Sequence, residues 1–252
     1  MPAALALGTG CALEAHRLPG QGRSPGWCRS GQPATHDGVS PDPVLAYPLK
    51  DALYLNLTSA CTLSCTFCPK IRDDDFTVGG FDLRLRRSPA LEEVWAAARR
   101  AGLEGRSEVV FTGFGEATRR LRAVLELTRR LKAAGVGRVR LDTDGLASLR
   151  EGRDVPPELA AAGLDAVSVS LNAADAATYA ELCPSRYGAA AYPAVQAFIR
   201  SALRCIPEVT ASAVAVPGLS EAACRAVAEA LGARFRWRPY DAIGRLADPA
   251  KR

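Results

Sequence analysis

The chain has 252 residues, 48% of them hydrophobic, with 32 Lys and Arg against 27 Asp and Glu for a formal net charge of +5. That length fits one sizeable core, with or without a tail. No run approaches the roughly 18 apolar residues of a membrane span, the apolar start lacks the positive segment of a secretory signal, and two histidines leave few imidazoles for a metal site. Residues 1–45 are rich in Gly, Pro, Ser and Thr and show no sustained apolar period, which predicts a disordered or loosely attached extension. Its Cys11 and Cys28 read as bystanders.

From Ala52 a regular alternation begins. Ala52–Leu57 reads as a strand running into a loop with three cysteines. A helix is predicted over about 89–102, with Ser88 and Pro89 as start signals and Gly102 as the stop. Glu108–Phe111 is a short strand ending in Thr112-Gly-Phe-Gly-Glu116. The helix after it, over about 119–134, places Leu121, Val124, Leu125, Thr128 and Leu131 on one face and Gly135 at its end. Arg138–Leu141 is a third strand before Asp142-Thr-Asp-Gly145, and a short helix near 156–162 leads to a fourth strand, Ala166–Leu171, ending at Asn172. Helices around 173–182 and 191–205 precede a fifth strand at about 209–216. Ser220 caps a helix closed by Gly232, and Arg234–Arg238 is the sixth strand, with residues 243–252 left as a tail.

Six strands alternating with helices describe an α/β core over 46–242 with a parallel sheet. A curved partial (β/α)6 barrel and a flat doubly wound sheet both fit. In either one, ligands bind beyond the carboxyl ends of the strands. The cysteine loop, the Gly-Phe-Gly-Glu turn, the Thr-Asp-Gly turn and Asn172 all fall at such ends, so they should surround one site. Arginines group at Arg84, Arg86 and Arg87, at Arg119, Arg120 and Arg122, and at Arg129 and Arg130 with Lys132. A solvated polar face is the default reading, and a nucleic-acid surface the alternative.

Cys61-Thr-Leu-Ser-Cys65-Thr-Phe-Cys68 puts three thiolates on one short loop. Three is one too few for a closed structural metal site. The set suits a [4Fe–4S] cube held at three corners, with the fourth iron open to a small molecule, and an open iron implies an enzyme. A zinc site would need a distant fourth ligand such as Cys28. A disulfide with a free thiol lacks the signal peptide and regular framework of an oxidising compartment. The expected compartment is the cytoplasm. Phe67, just before the third cysteine, would shield a cluster from solvent.

With these features the chain resembles the radical SAM superfamily, which carries Cys-x3-Cys-x2-Cys after the first strand of a partial (β/α)6 barrel of TIM-like type. Within it, the chain is most similar to the TatD-linked radical SAM proteins. Tyr54-Leu-Asn-Leu-Thr-Ser-Ala-Cys61, Val110-Phe-Thr-Gly-Phe-Gly-Glu116, Val167-Ser-Val-Ser-Leu-Asn-Ala173 and Phe235-Arg-Trp-Arg-Pro-Tyr240 carry the likeness, over roughly residues 50–242. The resemblance implies that Cys61, Cys65 and Cys68 ligate three irons of one cluster while S-adenosylmethionine (SAM) chelates the fourth. Reductive cleavage would release a 5′-deoxyadenosyl radical that removes a hydrogen from substrate.

Gly113-Phe114-Gly115-Glu116 resembles the family's glycine-glycine-glutamate motif, which receives the amino group of SAM; a plain strand-to-helix turn is the other reading. Ala117 stands where the family has proline, which loosens the helix start. Ser170 and Asn172 fall where relatives place polar groups against the ribose and the methionine carboxylate, unless they are a strand residue and a helix cap. Thr143 opens a turn like the family's Thr-Asn-Gly, with Asp144 in place of the amide. Arg238 and Tyr240 would flank the adenine or the substrate, or serve structure. The loop from Pro69 to Arg87 is expected to cover the pocket, with Arg72, Phe76 and Phe81 as contacts.

Cys183 could contact substrate or donate a thiyl radical, although a lone cysteine is more often an apolar filler. Cys205 and Cys224 read as core, so one cluster is expected. The implied partners are a one-electron reductant of flavodoxin or ferredoxin type and a substrate, a small molecule being preferred over RNA or protein. The family name adds a link to a TatD-type nuclease. Two rival readings differ in class: an activase that installs a glycyl radical on a partner protein, and a non-catalytic zinc or iron–sulfur module.

Overall fold

Pro48 has no N–H to give to a second neighbour, and it keeps Ala46–Leu49 (β1) on the margin of the sheet. In this computed structural model, which describes residues 42–240, β1 turns back through Lys50 and Asp51 and pairs antiparallel with Ala52–Asn56 (β2). Residues 1–41 of the expected 1–45 extension and the expected tail at 243–252 lie outside the described residues. Val44 and Leu45, the end of that expected extension, are packed: Val44 lies against the second apolar cluster, and Leu45 is buried and its carbonyl accepts from Asn56 N. Beyond β2 come a short helix, Pro69–Arg72 (α1), and a small ribbon of Thr77–Val78 (β3) and Phe81–Asp82 (β4).

Helices and strands then alternate. They are Leu91–Arg100 (α2), Val109–Thr112 (β5), Leu121–Ala133 (α3), Val139–Thr143 (β6), Ala147–Glu151 (α4), Pro156–Ala161 (α5) and Ala166–Ser170 (β7). Ala176–Leu182 (α6), Ala191–Ala202 (α7), Glu208–Val214 (β8), Glu221–Ala230 (α8) and Arg234–Arg238 (β9) complete the order. The seven-stranded sheet runs β1-β2-β5-β6-β7-β8-β9, and every neighbouring pair from β2 onward is parallel. This order decides between the two expected architectures. A doubly wound sheet reverses its strand order at a switch point. Here the order never reverses, and right-handed crossovers then put every helix on one face, as in a partial (β/α)6 barrel.

Period-two alternation sorts the side chains accordingly. Leu53, Leu55, Val109, Phe111, Val139, Leu141, Val167 and Val169 are buried in one core with Val94, Leu127, Leu131, Leu159, Val195 and Phe198 of the helices. The opposite face carries Tyr54, Asn56, Thr112, Arg140, Asp142, Ser168, Ser170, Thr210 and Ser212. The barrel side is therefore polar and the helix side apolar. A second cluster of Tyr47, Phe76, Leu83 and Phe114 lies under the β3–β4 ribbon.

Two elements depart from expectation near the site. Ala117–Arg120 forms a 3-10 turn before α3, and α4 occupies a stretch with no sequence signal for a helix. The arginine groups bear local ion pairs: Arg87 with Glu93, Arg130 with Glu92 and Glu126, and Lys132 with Asp165. That agrees with solvated faces, where such pairs contribute little to stability. Among the described residues no helix is long and apolar enough to cross a membrane.

Candidate functional site

The cysteine loop is pinned on three sides. At its start Thr58 Oγ1 accepts from Ala60 N at 3.0 Å, Ser59 O accepts from Lys70 Nζ at 2.9 Å and Ser59 Oγ accepts from Leu85 N at 2.8 Å. In its middle Ser64 N and Thr66 N donate to Pro184 O and Leu182 O, each at 2.9 Å. At its end Cys68 N donates to Cys65 O at 3.0 Å, and Cys68 caps α1 with Pro69 as the first helical residue. Cys61, Cys65 and Cys68 are half-buried free thiols, and Phe67 between them is 7% exposed within the main core.

The glycine turn presses onto the start of this loop. A Cβ on Gly115 would stand 2.1 Å from Thr58 O and 2.8 Å from Ala60 O, closer than any side chain can come. Gly113 has φ +140°, and a Cβ there would meet Asn56 Oδ1 at 2.8 Å. Glu116 N donates to Ala60 O at 3.0 Å, so the two loops share a backbone bond.

The buried Glu116 carboxylate joins two turns. Its Oε1 accepts from Thr118 N (2.9 Å), Thr118 Oγ1 (2.6 Å) and Thr143 Oγ1 (2.8 Å), and its Oε2 accepts from Asp144 N at 2.7 Å. Glu116 is also the cap of the 3-10 turn, so the chain begins that turn without the proline that Ala117 replaces.

Asp144 is buried beside it. Its Oδ1 accepts from Leu146 N at 2.9 Å, whereas Oδ2 has no hydrogen-bond partner. The Thr62 hydroxyl lies near Asp144 without hydrogen-bond geometry, and neither it nor the buried Tyr179 Oη has a partner. Burial, and after it the Glu116 carboxylate, raises the Asp144 carboxyl well above its ordinary value.

A raised carboxyl favours the folded state while it is protonated. Its contribution is full below about pH 4 and is lost as pH climbs toward the folded value. Asp144→Asn keeps the bond from Leu146 N and removes the charge. We expect the cluster-free variant to gain roughly 1–3 kcal/mol over the parent at pH 8.5 and clearly less at pH 5.5, read from thermal melts at both values. Parallel pH profiles would contradict the buried-carboxylate account.

Burial pushes the Cys61 thiol up to about 12, and Glu116, Asp144 and Cys65 add to the rise. Burial raises Cys68 as well. Cys65 is raised by its hydrogen bond with Cys183 and then by burial. Burial raises the Tyr179 hydroxyl above its usual range, and Cys183, Asp144, Cys65 and Cys61 add to the rise.

Asn172 is not a helix cap. Asp175 caps α6, its side chain accepting from Thr178 N. Asn172 is buried with φ +57°, a left-handed conformation that Asn tolerates better than most side chains. Its N donates to Ser212 O at 3.1 Å and its Nδ2 to Cys183 Sγ at 3.4 Å. Ser170, half-buried, pairs in register with Ser212 on the barrel side.

Arg238 is the last residue of β9. The charges around it are Asp142, Arg236 and Arg140, and burial lowers its pKa. Tyr240 Oη accepts from Arg72 Nη1 at 2.7 Å, linking α1 to the end of β9. Of the other expected pocket contacts, Phe76 stacks edge-on against Phe114 at 5.5 Å and Phe81 packs on Tyr47 at 5.5 Å, so both belong to the second apolar cluster.

A cleft of about 360 Å³ opens at the loop, lined by Cys61, Thr62 and Arg119 together with Ser185 and Arg186 from the opposite segment. Among the described residues no three His, Cys, Asp or Glu side chains gather tightly enough to hold one metal ion. A single zinc would need its sulfurs roughly 3.8 Å apart, while a cube carries its cysteines on separate irons. Three thiols on one pinned loop, beside the unpartnered Asp144 Oδ2, Thr62 Oγ1 and Tyr179 Oη, fit the larger group with a polar ligand at its side.

Two residues of this frame had weak sequence signals. Asn56 is fully buried and its Nδ2 donates to Val44 O (3.0 Å) and Leu83 O (2.8 Å), tying β1 and the ribbon to the barrel. Its only signal is a polar residue inside an apolar alternation. Thr118, which gives Glu116 two hydrogen bonds, has none.

Residues 55–231 match the profile of the Radical SAM superfamily. No curated protein matches the sequence. Among solved structures, HydG, a maturase of the [FeFe]-hydrogenase, is similar at 13% identity and a TM-score of 0.54 over 75% of this chain and 42% of its own. Methylornithine synthase (PylB) is similar at 13% identity and a TM-score of 0.54 over 75% of this chain and 53% of its own. A radical SAM methyltransferase from Sphaerobacter thermophilus shares 19% identity over 79% of this chain and 70% of its own, with a TM-score of 0.49. The chain thus spans about half the length of HydG and PylB.

Proposed function

The chain belongs to the radical SAM superfamily and is an enzyme of that fold, and on that premise we propose that Cys61, Cys65 and Cys68 hold three irons of a single [4Fe–4S] cluster whose fourth iron binds SAM. A reduced cluster held there would supply the one electron that cleaves the SAM sulfonium into methionine and a 5′-deoxyadenosyl radical able to take a hydrogen from substrate.

The chain's own residues hold and shield. Gly113 and Gly115 let backbone approach the loop, and Glu116 Oε2, which accepts one hydrogen bond, keeps acceptor capacity for the amino group of SAM. Asp144 adds an unpartnered carboxylate oxygen beside it, so a cationic amino group would relieve the repulsion between the two carboxylates. Thr143 orients Glu116, Ser170 and Asn172 would face the ribose and the methionine carboxylate, and Phe67 would keep water from the cluster. Arg238, on the barrel side, serves the adenine or the substrate.

The observation that carries this reading is the docking of the Gly113–Glu116 turn on the cysteine loop through Glu116 N and Ala60 O. The finer assignment is to the TatD-linked group, on the four segments named above. With it go a flavodoxin- or ferredoxin-type reductant, a small-molecule substrate in preference to RNA or protein, a functional link to a TatD-type nuclease, and the cytoplasm as compartment. Electron paramagnetic resonance of the dithionite-reduced, iron-loaded chain tests SAM binding at the cluster. The signal should shift when SAM is added, and an unchanged spectrum at saturating SAM would contradict the proposal.

A further inference from the structure

Cys183 sits opposite Cys65 across a short antiparallel ladder. Leu63 bridges Ser185, Ser64 N donates to Pro184 O and Thr66 N donates to Leu182 O. The same register pairs Cys65 with Cys183. It is a non-hydrogen-bonded pair, since the bonds are made by the residues on either side, and Pro184 has no N–H to complete the outer one. At such a pair the Cα atoms stand about 4.5 Å apart and the side chains lean together. Disulfides form at Cα separations of roughly 4.4–6.8 Å.

The two sulfurs are 3.5 Å apart. Asn172 Nδ2 donates to Cys183 Sγ at 3.4 Å and holds the buried thiol toward its partner. Cys65 is half-buried, whereas Cys183 is 1% exposed. Cys65 is therefore the more accessible of the two residues.

We propose that Cys65 and Cys183 form an oxidation-sensitive dithiol that a small-molecule disulfide closes when the cysteine loop carries no cluster. The Cys65 thiolate attacks one sulfur of glutathione disulfide, which breaks the S–S bond and releases one glutathione. The Cys183 thiolate then attacks Cys65 in the mixed disulfide and releases the second glutathione. Both protein thiol protons leave with the two glutathione molecules, and the two electrons lost by the cysteines reduce the reagent. The cross-link occupies Cys65, one of the three proposed iron ligands, until a thiol reductant reopens it. Its formation rests on the ladder alone, whereas its effect on iron rests on the proposed cluster.

The full chain, isolated without iron and treated with glutathione disulfide, can be alkylated and mapped by mass spectrometry without reduction. Cys183 should be linked to Cys65 at least tenfold more often than to Cys61 or Cys68, and dithiothreitol should reverse the link. The link should persist in Cys61→Ser and Cys68→Ser and vanish in Cys65→Ser. A Cys183 that stays alkylatable in the wild-type chain, or that links equally to all three loop cysteines, overturns the proposal. The iron-loaded chain separates the two claims. A tenfold drop in cross-link there supports Cys65 as a ligand, and an undiminished cross-link keeps the dithiol while counting against the cluster assignment.

Discussion

Replacing any one of Cys61, Cys65 and Cys68 by alanine is expected to take iron from about four per chain to near none after anaerobic reconstitution. The same variants should lose 5′-deoxyadenosine formation by at least about 100-fold, beyond what loss of a supporting residue causes. Three ligands are the minimum for a site-differentiated cube, so removing one leaves two irons without protein. Two cysteines away from the loop supply the control. Cys205 Sγ lies 3.4 Å from Ser201 O at the end of α7, and Cys224 is fully buried in α8. Alanine at either should leave iron content unchanged. A Cys61, Cys65 or Cys68 variant that still held four irons would remove that cysteine from the ligand set.

Gly115→Ala is expected to damage the site nearly as much without touching a ligand. Its Cβ would lie 2.1 Å from Thr58 O and 2.7 Å from Thr58 C, both backbone atoms at the entrance to the cysteine loop. Backbone cannot rotate away as a side chain can, so the turn and the loop must separate. Overpacking of this kind costs about 1–3 kcal/mol, occasionally more. A shift of about 1 Å at the reacting centre can reduce rate on the order of 100-fold. Gly137→Ala is the matched comparison, because its Cβ would meet nothing within 4 Å. It should stay within about 0.5 kcal/mol of the parent. Denaturant midpoints and the rate of 5′-deoxyadenosine formation read both effects, and equal behaviour of the two variants would contradict the docking geometry.

The parallel core was legible because its strands announce themselves twice. Leu53 and Leu55, Val139 and Leu141, and Val167 and Val169 repeat every second residue, and each strand is followed by a glycine or polar turn. What periodicity could not supply was curvature, which follows from the non-reversing strand order. β1 was missed because Pro48 weakens any strand signal, and the same proline suits it to the edge it occupies.

The meeting of the cysteine loop and the Gly113–Glu116 turn was legible because their residue types are scarce and their spacing specific. The site was not legible where contacts are long-range. Nothing local marks Thr143 as a partner of Glu116 across 27 positions, or Cys183 as the neighbour of Cys65 across 118 positions. Asn172 carries two readings in the sequence, a polar group for the ribose and methionine carboxylate or a helix cap, and only the cap reading fails. The backbone instead enters the left-handed region there and leaves capping to Asp175. Phe76 and Phe81, expected as pocket contacts from their place in the loop after the cysteines, pack in the apolar cluster that also holds Phe114.

The most direct test of the central claim is the product itself. The iron-loaded full chain, supplied with SAM and dithionite under strict anaerobiosis, should release 5′-deoxyadenosine and methionine in equal amounts, quantified by chromatography with mass detection. A chain carrying its full complement of iron that binds SAM and yields neither product would contradict the account.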